Sequence, residues 1–202
     1  VSTGAVYSVA NASFSNLTQG LEFSGAVTAA SGFVKTGAGT LVLSNVSNSI
    51  GAPIVVDQGV LSVDSVAALG GAIVALNPQA GSAAFRASAS IDGSPVIRFD
   101  GTAGTRIIEV ADGATLKLNA AFNLNSGAGA TAALSKNDPG TLVLNASNSG
   151  WSGAISINQG ALLCPTVTYP TISRLRREEG SVYVLFNLTI GGEIEKTLIE
   201  KS

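Results

Sequence analysis

Apolar and polar side chains alternate at period two over most of the chain: Leu41 and Leu43, Ile54 and Val56, Leu61 and Val63. Period two puts every second side chain on the same face, so these runs predict strands with one buried side. The runs are short, and Gly, Ser, Asn and Asp, the residues of tight turns, separate them. The pattern is also stated twice. Residues 35–63, KTGAGTLVLSNVSNSIGAPIVVDQGVLSV, and 136–164, KNDPGTLVLNASNSGWSGAISINQGALLC, align without a gap at a constant offset of 101. Lys35 meets Lys136, Gly39-Thr40-Leu41-Val42-Leu43 meets Gly140-Thr141-Leu142-Val143-Leu144, and Gln58-Gly59 meets Gln159-Gly160. Three short strands in fewer than 30 residues is the arithmetic of one coil of a β-solenoid. If that is right, Leu41, Leu43, Ile54, Val56 and their partners at +101 are buried.

The rest of the first 164 residues reads as the same architecture with looser spacing. Leu21 and Phe23 alternate in a lead-in coil, and Val1 reads as a cut from something longer. Ala72-Ile73-Val74-Ala75-Leu76, Ala84-Phe85-Arg86-Ala87, Val96-Ile97-Arg98-Phe99, Ile107-Ile108-Glu109-Val110 and Thr115-Leu116-Lys117-Leu118 have strand length. Asn77-Pro78, Asp92-Gly93, Asp100-Gly101 and Asp112-Gly113 punctuate them. Asp-Gly can close a hairpin; between solenoid repeats we read these pairs as corners. Residues 120–130 read as a loop.

At Pro165 the pattern changes. Up to Cys164 the chain carries 6 basic and 8 acidic residues; the remaining 38 carry 5 and 5. Pro165 and Pro170 cannot donate to a strand ladder. Residues 171–179 predict a short helix, with Thr171 as cap and Ile172 and Leu175 on one face. Val182, Val184, Phe186, Leu188 and Ile190 alternate, Gly191-Gly192 supplies a two-residue turn, and 193–201 predicts a returning strand. The expected fold class is mainly β, a β-solenoid over 1–164 followed by a small α+β helix–hairpin tail over 165–202.

G-A-G-T-L-V-L, an Asn/Ser/Gly stretch, an apolar strand and V-D-Q-G-V-L-S-V resemble the strand repeat of bacterial autotransporter passengers. The second-strand entry departs from the family's Tyr-x-Gly, reading Ile50-Gly51 and Trp151-Ser152-Gly153. The resemblance implies a right-handed parallel β-helix, export to the cell surface, and an outer-membrane translocator barrel in cis outside this segment. It also implies a non-catalytic scaffold role, with a host or matrix surface as partner where the passenger adheres. The tail, with Tyr169-Pro170, Glu179-Gly180 and SVYVLFNLTIGGEIEKTLIEKS, resembles about half of a TonB C-terminal domain. That resemblance implies a TonB-dependent receptor as partner, with Tyr169 and Pro170 as the contact residues, and a periplasmic interaction protein as the alternative reading.

Composition narrows the chemistry. Hydrophobic residues make up 46% of the chain, charged residues 12%, and there are 24 Gly. Small residues suit tight corners, and so high and periodic an apolar content argues against disorder. A net charge of −2 without a basic stripe speaks against nucleic acid. With His at 0, Ser-His-Asp and Cys-His catalysis and imidazole metal sites are excluded; no cofactor motif occurs. The enzyme alternative is a carbohydrate-active β-helix, in which Asp92, Arg98, Asp100 and Arg106 would converge on one outer face. Against it, the aspartates precede Gly and suit corners, and the arginines are expected to be solvated. Arg174, Arg176 and Arg177 read as a solvated helix face. Trp151 and Phe33 read as core or corner packing. Cys164, the single cysteine, aligns with Val63 and is expected to be a buried small hydrophobe.

Overall fold

The computed structural model describes residues 7–8, 12–14, 20–79, 81–93, 95–101, 103–124, 132–148, 151–164, 182–188 and 194–201. It forms two compact units, Val1–Pro165 and Thr166–Ser202.

The first unit is a parallel solenoid. The chain enters through β1 (Tyr7–Ser8), β2 (Ala12–Phe14) and β3 (Leu21–Phe23), then circulates through β4 (Val27–Ala29), β5 (Phe33–Lys35) and β6 (Thr40–Leu43). The next circuit is β7 (Ser49–Ile50), β8 (Ile54–Val56) and β9 (Gly59–Val63). A 3-10 turn, Ala67–Leu69, then leads to β10 (Val74–Leu76) and β11 (Ser82–Ala87). Further circuits are β12 (Ile91–Gly93), β13 (Ile97–Phe99) and β14 (Thr105–Val110), then β15 (Thr115–Leu118), β16 (Asn123–Leu124) and β17 (Leu134–Asn137). The last strands are β18 (Thr141–Leu144), β19 (Ile155–Ile157) and β20 (Ala161–Leu163).

Stacking the circuits makes four sheets. Sheet A is β1-β4-β7, sheet B β2-β5-β8-β10-β13-β16, sheet C β3-β6-β9-β11-β14-β17-β19, and sheet D β12-β15-β18-β20. All their described pairings are parallel, so Asp100-Gly101 and Asp112-Gly113 are corners, not hairpin turns. Asp92-Gly93 differs from expectation: it lies inside β12, paired with Lys117 and Leu118. Sheet A ends where the 3-10 turn begins. Ile50 N–H donates to Gly70 O at 3.1 Å, so that turn covers the last strand of sheet A. Inward side chains stack in register: Phe23 on Leu43 on Val63 in sheet C, Val56 on Leu76 on Phe99 in sheet B. Each inward chain is thereby covered by the coils before and after it, which is how a tube of short strands builds a continuous core.

One repeat copy is longer than one coil. The first copy holds β5 to β9 and visits sheets B, C, A, B and C; the second holds β17 to β20 and visits C, D, C and D. The separation of 101 residues is not a whole number of circuits, so the same sequence sits one face further round the tube. In the first copy Leu41, Leu43, Ile54 and Val56 are all fully buried. In the second, Leu142 and Leu144 are buried, but Ile155 is 37% exposed and Ile157 is half-buried. β19 is the last strand of sheet C, and no described coil lies above it. Cys164 corrects its expectation for the same reason. It is exposed, whereas Val63 at the aligned position is covered by Ala87 of the following coil. Phe33 is core as expected, and Trp151 packs against the core, its ring 5.8 Å from that of Phe99.

In the second unit, β21 (Val182–Leu188) pairs antiparallel with β22 (Ile194–Lys201), with a register irregularity at Asn187/Leu188. The helix expected at 171–179, the Gly191-Gly192 turn, Arg174, Arg176, Arg177, Tyr169 and Pro170 lie outside the described residues. The TonB resemblance therefore finds no support among the described residues.

Candidate functional site

The feature common to both copies is a buried lysine in a corner. Strand parity sends Phe33 and Lys35 of β5 to the same side as the core, and Lys35 is 0% exposed. Its side chain folds back under the corner that joins sheets B and C. Nζ donates to Thr36 O (3.1 Å), Gly37 O (2.6 Å) and Gln58 O (2.9 Å). An ammonium has three protons to give, and here each finds a backbone carbonyl. Two acceptors belong to the lysine's own corner and the third to the corner of the next coil, so the side chain ties two coils together. Lys136 repeats the arrangement at the corner between sheets C and D, donating to Asn137 O (2.5 Å), Asp138 O (2.7 Å) and Gln159 O (3.3 Å). It too is 0% exposed.

The cage explains the repeat's glycines. Gly59 has φ +77°, and a Cβ there would fall 2.6 Å from Lys35 Nζ, in collision with the carbonyls of Gly37 and Gly39. Gly160, with φ +75°, would collide with the carbonyls of Asp138, Pro139 and Gly140. Only a residue without a side chain passes over an ammonium-filled corner. Gly37 at φ 76° and Asp138 at φ 65° occupy the same left-handed position in the two copies; Asp is one of the few other residues that tolerates it.

A third cage has no lysine. Arg106, at the start of β14, is 2% exposed, and its guanidinium fills the corner before its own strand. Nη2 donates to Asp100 O (2.5 Å) and Gly101 O (2.8 Å), and Nη1 to Gly104 O (3.2 Å) and Ala103 O (3.3 Å). None of the three cations has a carboxylate hydrogen-bonded to it; carbonyl dipoles carry the solvation that water would supply. Burial pushes all three side-chain pKa values down. Asp100 opposes the shift at Arg106, and Asp138 then Glu109 oppose it at Lys136.

An asparagine between β6 and β7 braces another turn of the coil. Asn48 Oδ1 accepts from Val27 N–H at 2.8 Å and Nδ2 donates to Ala68 O at 2.7 Å, joining the coils before and after it. In the second copy Asn148 takes this place, accepting from Phe122 N–H at 2.8 Å. The equivalence Asn48–Asn148 is displaced by one residue from the gap-free alignment, which pairs Asn48 with Ser149. Trp151 Nε1–H donates to Ala132 O at 2.9 Å, beside Gly153.

The candidate catalytic residues do not meet on one outer face: Arg98, Asp100 and Arg106 share one corner, where Asp100 accepts from Arg98 through its carboxylate and from Arg106 through its carbonyl, while Asp92 is paired elsewhere. Asp92 lies on sheet D, where Lys117 Nζ meets its carboxylate at 2.6 Å and, by that hydrogen bond first, holds its pKa low. Arg98 lies on sheet B and clamps Asp100 Oδ2 through Nε (3.0 Å) and Nη2 (2.6 Å). Arg106 points into the tube, contrary to the solvated position expected of it, and Arg98 is spent on an intramolecular pair. Among the described residues no group of three or more His, Cys, Asp or Glu could hold a metal ion. On the outer face of sheet C, Arg86 lies 3.8 Å from Glu109 and 3.4 Å from Asp138, so that one arginine spans carboxylates from two following coils.

The buried lysines escaped the sequence reading, although their signal is there. A charge recurs at an inward-parity position in both copies of a chain that carries very few charges. What was missing was a partner, because backbone carbonyls leave no trace in the order of side chains.

Residues 33–63 and 134–163 match the model of the Passenger-associated-transport-repeat. The two matches fall on the two lysine corners and leave out the coils between them. No curated protein and no solved structure matches the chain. The repeat matches and the parallel solenoid together support a structural module of an autotransporter passenger.

Proposed function

We propose that this chain is a non-catalytic β-helical module of an exported bacterial surface protein, carried outward through a translocator barrel in cis. The observation that carries this reading is that both matched repeats lie within one solenoid, each closing a corner with a buried lysine. The outer face supports a scaffold role. Its described arginine and lysine side chains on the solenoid, Arg86, Arg98 and Lys117, are each paired with a carboxylate, of Glu109, Asp100 and Asp92. In this role the module holds adhesive regions away from the cell and does not itself grip a host or matrix surface.

The test is to express the chain between an export signal and a translocator barrel and to measure protease accessibility on intact cells. Surface display is expected for the native sequence, with a marked fall for the Lys35→Ala/Lys136→Ala pair. Retention of the native sequence in the periplasm would sink the reading.

A further inference from the structure

The corner cages are built from backbone, and this separates two things that lysine does. Its aliphatic stem fills space, and its ammonium donates to converging backbone carbonyls. Three corners of different sequence, TGAG with DQG, NDPG with NQG, and DGTAG, turn carbonyls onto a cation. The cation arrives from the preceding strand as lysine in two of them and from the following strand as arginine in the third. Neither the tether, its direction nor the cation type is common to the three; the converging carbonyls are.

We propose that the Lys35 and Lys136 corners are ammonium-binding sites in their own right, whose native ligand is the chain's own side chain and which accept a free primary alkylammonium when that side chain is shortened. The chemistry selects the class. Three carbonyl oxygens at 2.6–3.1 Å from Nζ of Lys35 match the three N–H bonds of a primary ammonium. A quaternary ammonium has no proton to give, and an alkyl carboxylate would face carbonyl oxygens with its own negative charge. In Lys35→Ala the Cβ remains, so n-propylammonium replaces the three lost methylene carbons and the nitrogen atom for atom. This inference concerns the folded corner alone and stands whatever the export experiment returns.

The test is thermal unfolding of the full chain and its Lys35→Ala, Lys136→Ala and Lys35→Met variants, titrated with n-propylammonium chloride. Sodium chloride and tetramethylammonium chloride serve as ionic-strength controls and propionate as the shape control. A ligand that binds only the folded state raises the midpoint saturably with its concentration. The expected result is a saturable upward shift for both Ala variants, absent from the native chain, whose cages are filled, and from Lys35→Met, whose thioether stem occupies the space. If Lys35→Ala is unfolded without ligand, the expected result is recovery of β-sheet circular dichroism on adding propylammonium; Lys136→Ala, in the terminal coils, gives the second reading. A shift of equal size with sodium or tetramethylammonium, a shift of equal size in the native chain, or no shift in either Ala variant would overturn the proposal.

Discussion

The two repeat copies share their sequence pattern and differ in their place in the tube. The first lies inside the solenoid, with described coils on both sides, on sheets B, C and A; the second occupies its last described coils on sheets C and D. Ile54 is fully buried beneath Val74, whereas Ile155, the same residue type at the same point of the repeat, is 37% exposed. The lysine cages differ less, with both ammonium groups fully enclosed. Core burial in a solenoid is thus a property of neighbouring coils, while the corner cage is largely a property of the repeat itself. The repeat carries its own polar closure and borrows its apolar one.

Paired substitutions sharpen this contrast. The largest difference is expected between Ile54→Ala and Ile155→Ala. The first leaves a cavity between two covering coils and costs about 3–4 kcal/mol in urea unfolding; the second removes a partly wet side chain and costs about 1 kcal/mol. Equal losses would mean that the terminal coil is covered in solution. Next come Lys35→Met and Lys136→Met, which keep volume and remove the ammonium donated to three carbonyls. We expect about 3 kcal/mol at Lys35. The loss at Lys136 is smaller, because Gln159 belongs to the exposed final coil. Amide exchange should locate the loosening at 36–39 and 57–59 in the first variant and around 137–140 in the second.

Gly59→Ala and Gly160→Ala probe the crossing of the cage. Both force an L-residue to positive φ against backbone carbonyls, at about 2 kcal/mol each by thermal melting. Near-equal values would show that the corner is autonomous; a much smaller value at Gly160 would show that its coil frays.

A smaller effect of opposite sign is expected at Glu109, which has no counterpart beside Lys35. Burial first, and the Asp138 carboxylate second, raise its pKa against the pull of Arg86 and Lys136. The folded state then holds a proton that the unfolded chain has released, so stability falls as pH rises from the ordinary carboxyl value of 4.5 through the raised one. Glu109→Gln should therefore stabilise the protein at neutral pH and flatten that part of the pH–stability curve. Smallest of all, Lys117→Ala breaks the exposed pair with Asp92 and should leave the denaturation midpoint unchanged.

Much of this architecture is legible from residue order because a solenoid writes its period into the chain. Leu41, Leu43, Ile54 and Val56 are inward because alternation has only two faces to choose from. The parallel pairing and the corner role of Asp100-Gly101 and Asp112-Gly113 follow from the same regularity. Lys35 and Lys136 were visible as a recurrence but not as a site, since their acceptors are main-chain atoms that every residue type possesses. Arg106 was harder still. Nothing in DGTAGTR distinguishes a guanidinium that turns under its own corner from one that reaches into water.

By itself the sequence determined the strand class, the inward parity, the two copies and the places where glycine is needed, because period, volume and backbone freedom are local properties of residues. Only the tertiary structure decided which face each copy occupies, that Ile155 and Cys164 emerge where Ile54 and Val63 are sealed, and that three cations are held by carbonyls. Those outcomes depend on how many residues fill each circuit and on which coil comes to lie above another. No short-range pattern records that.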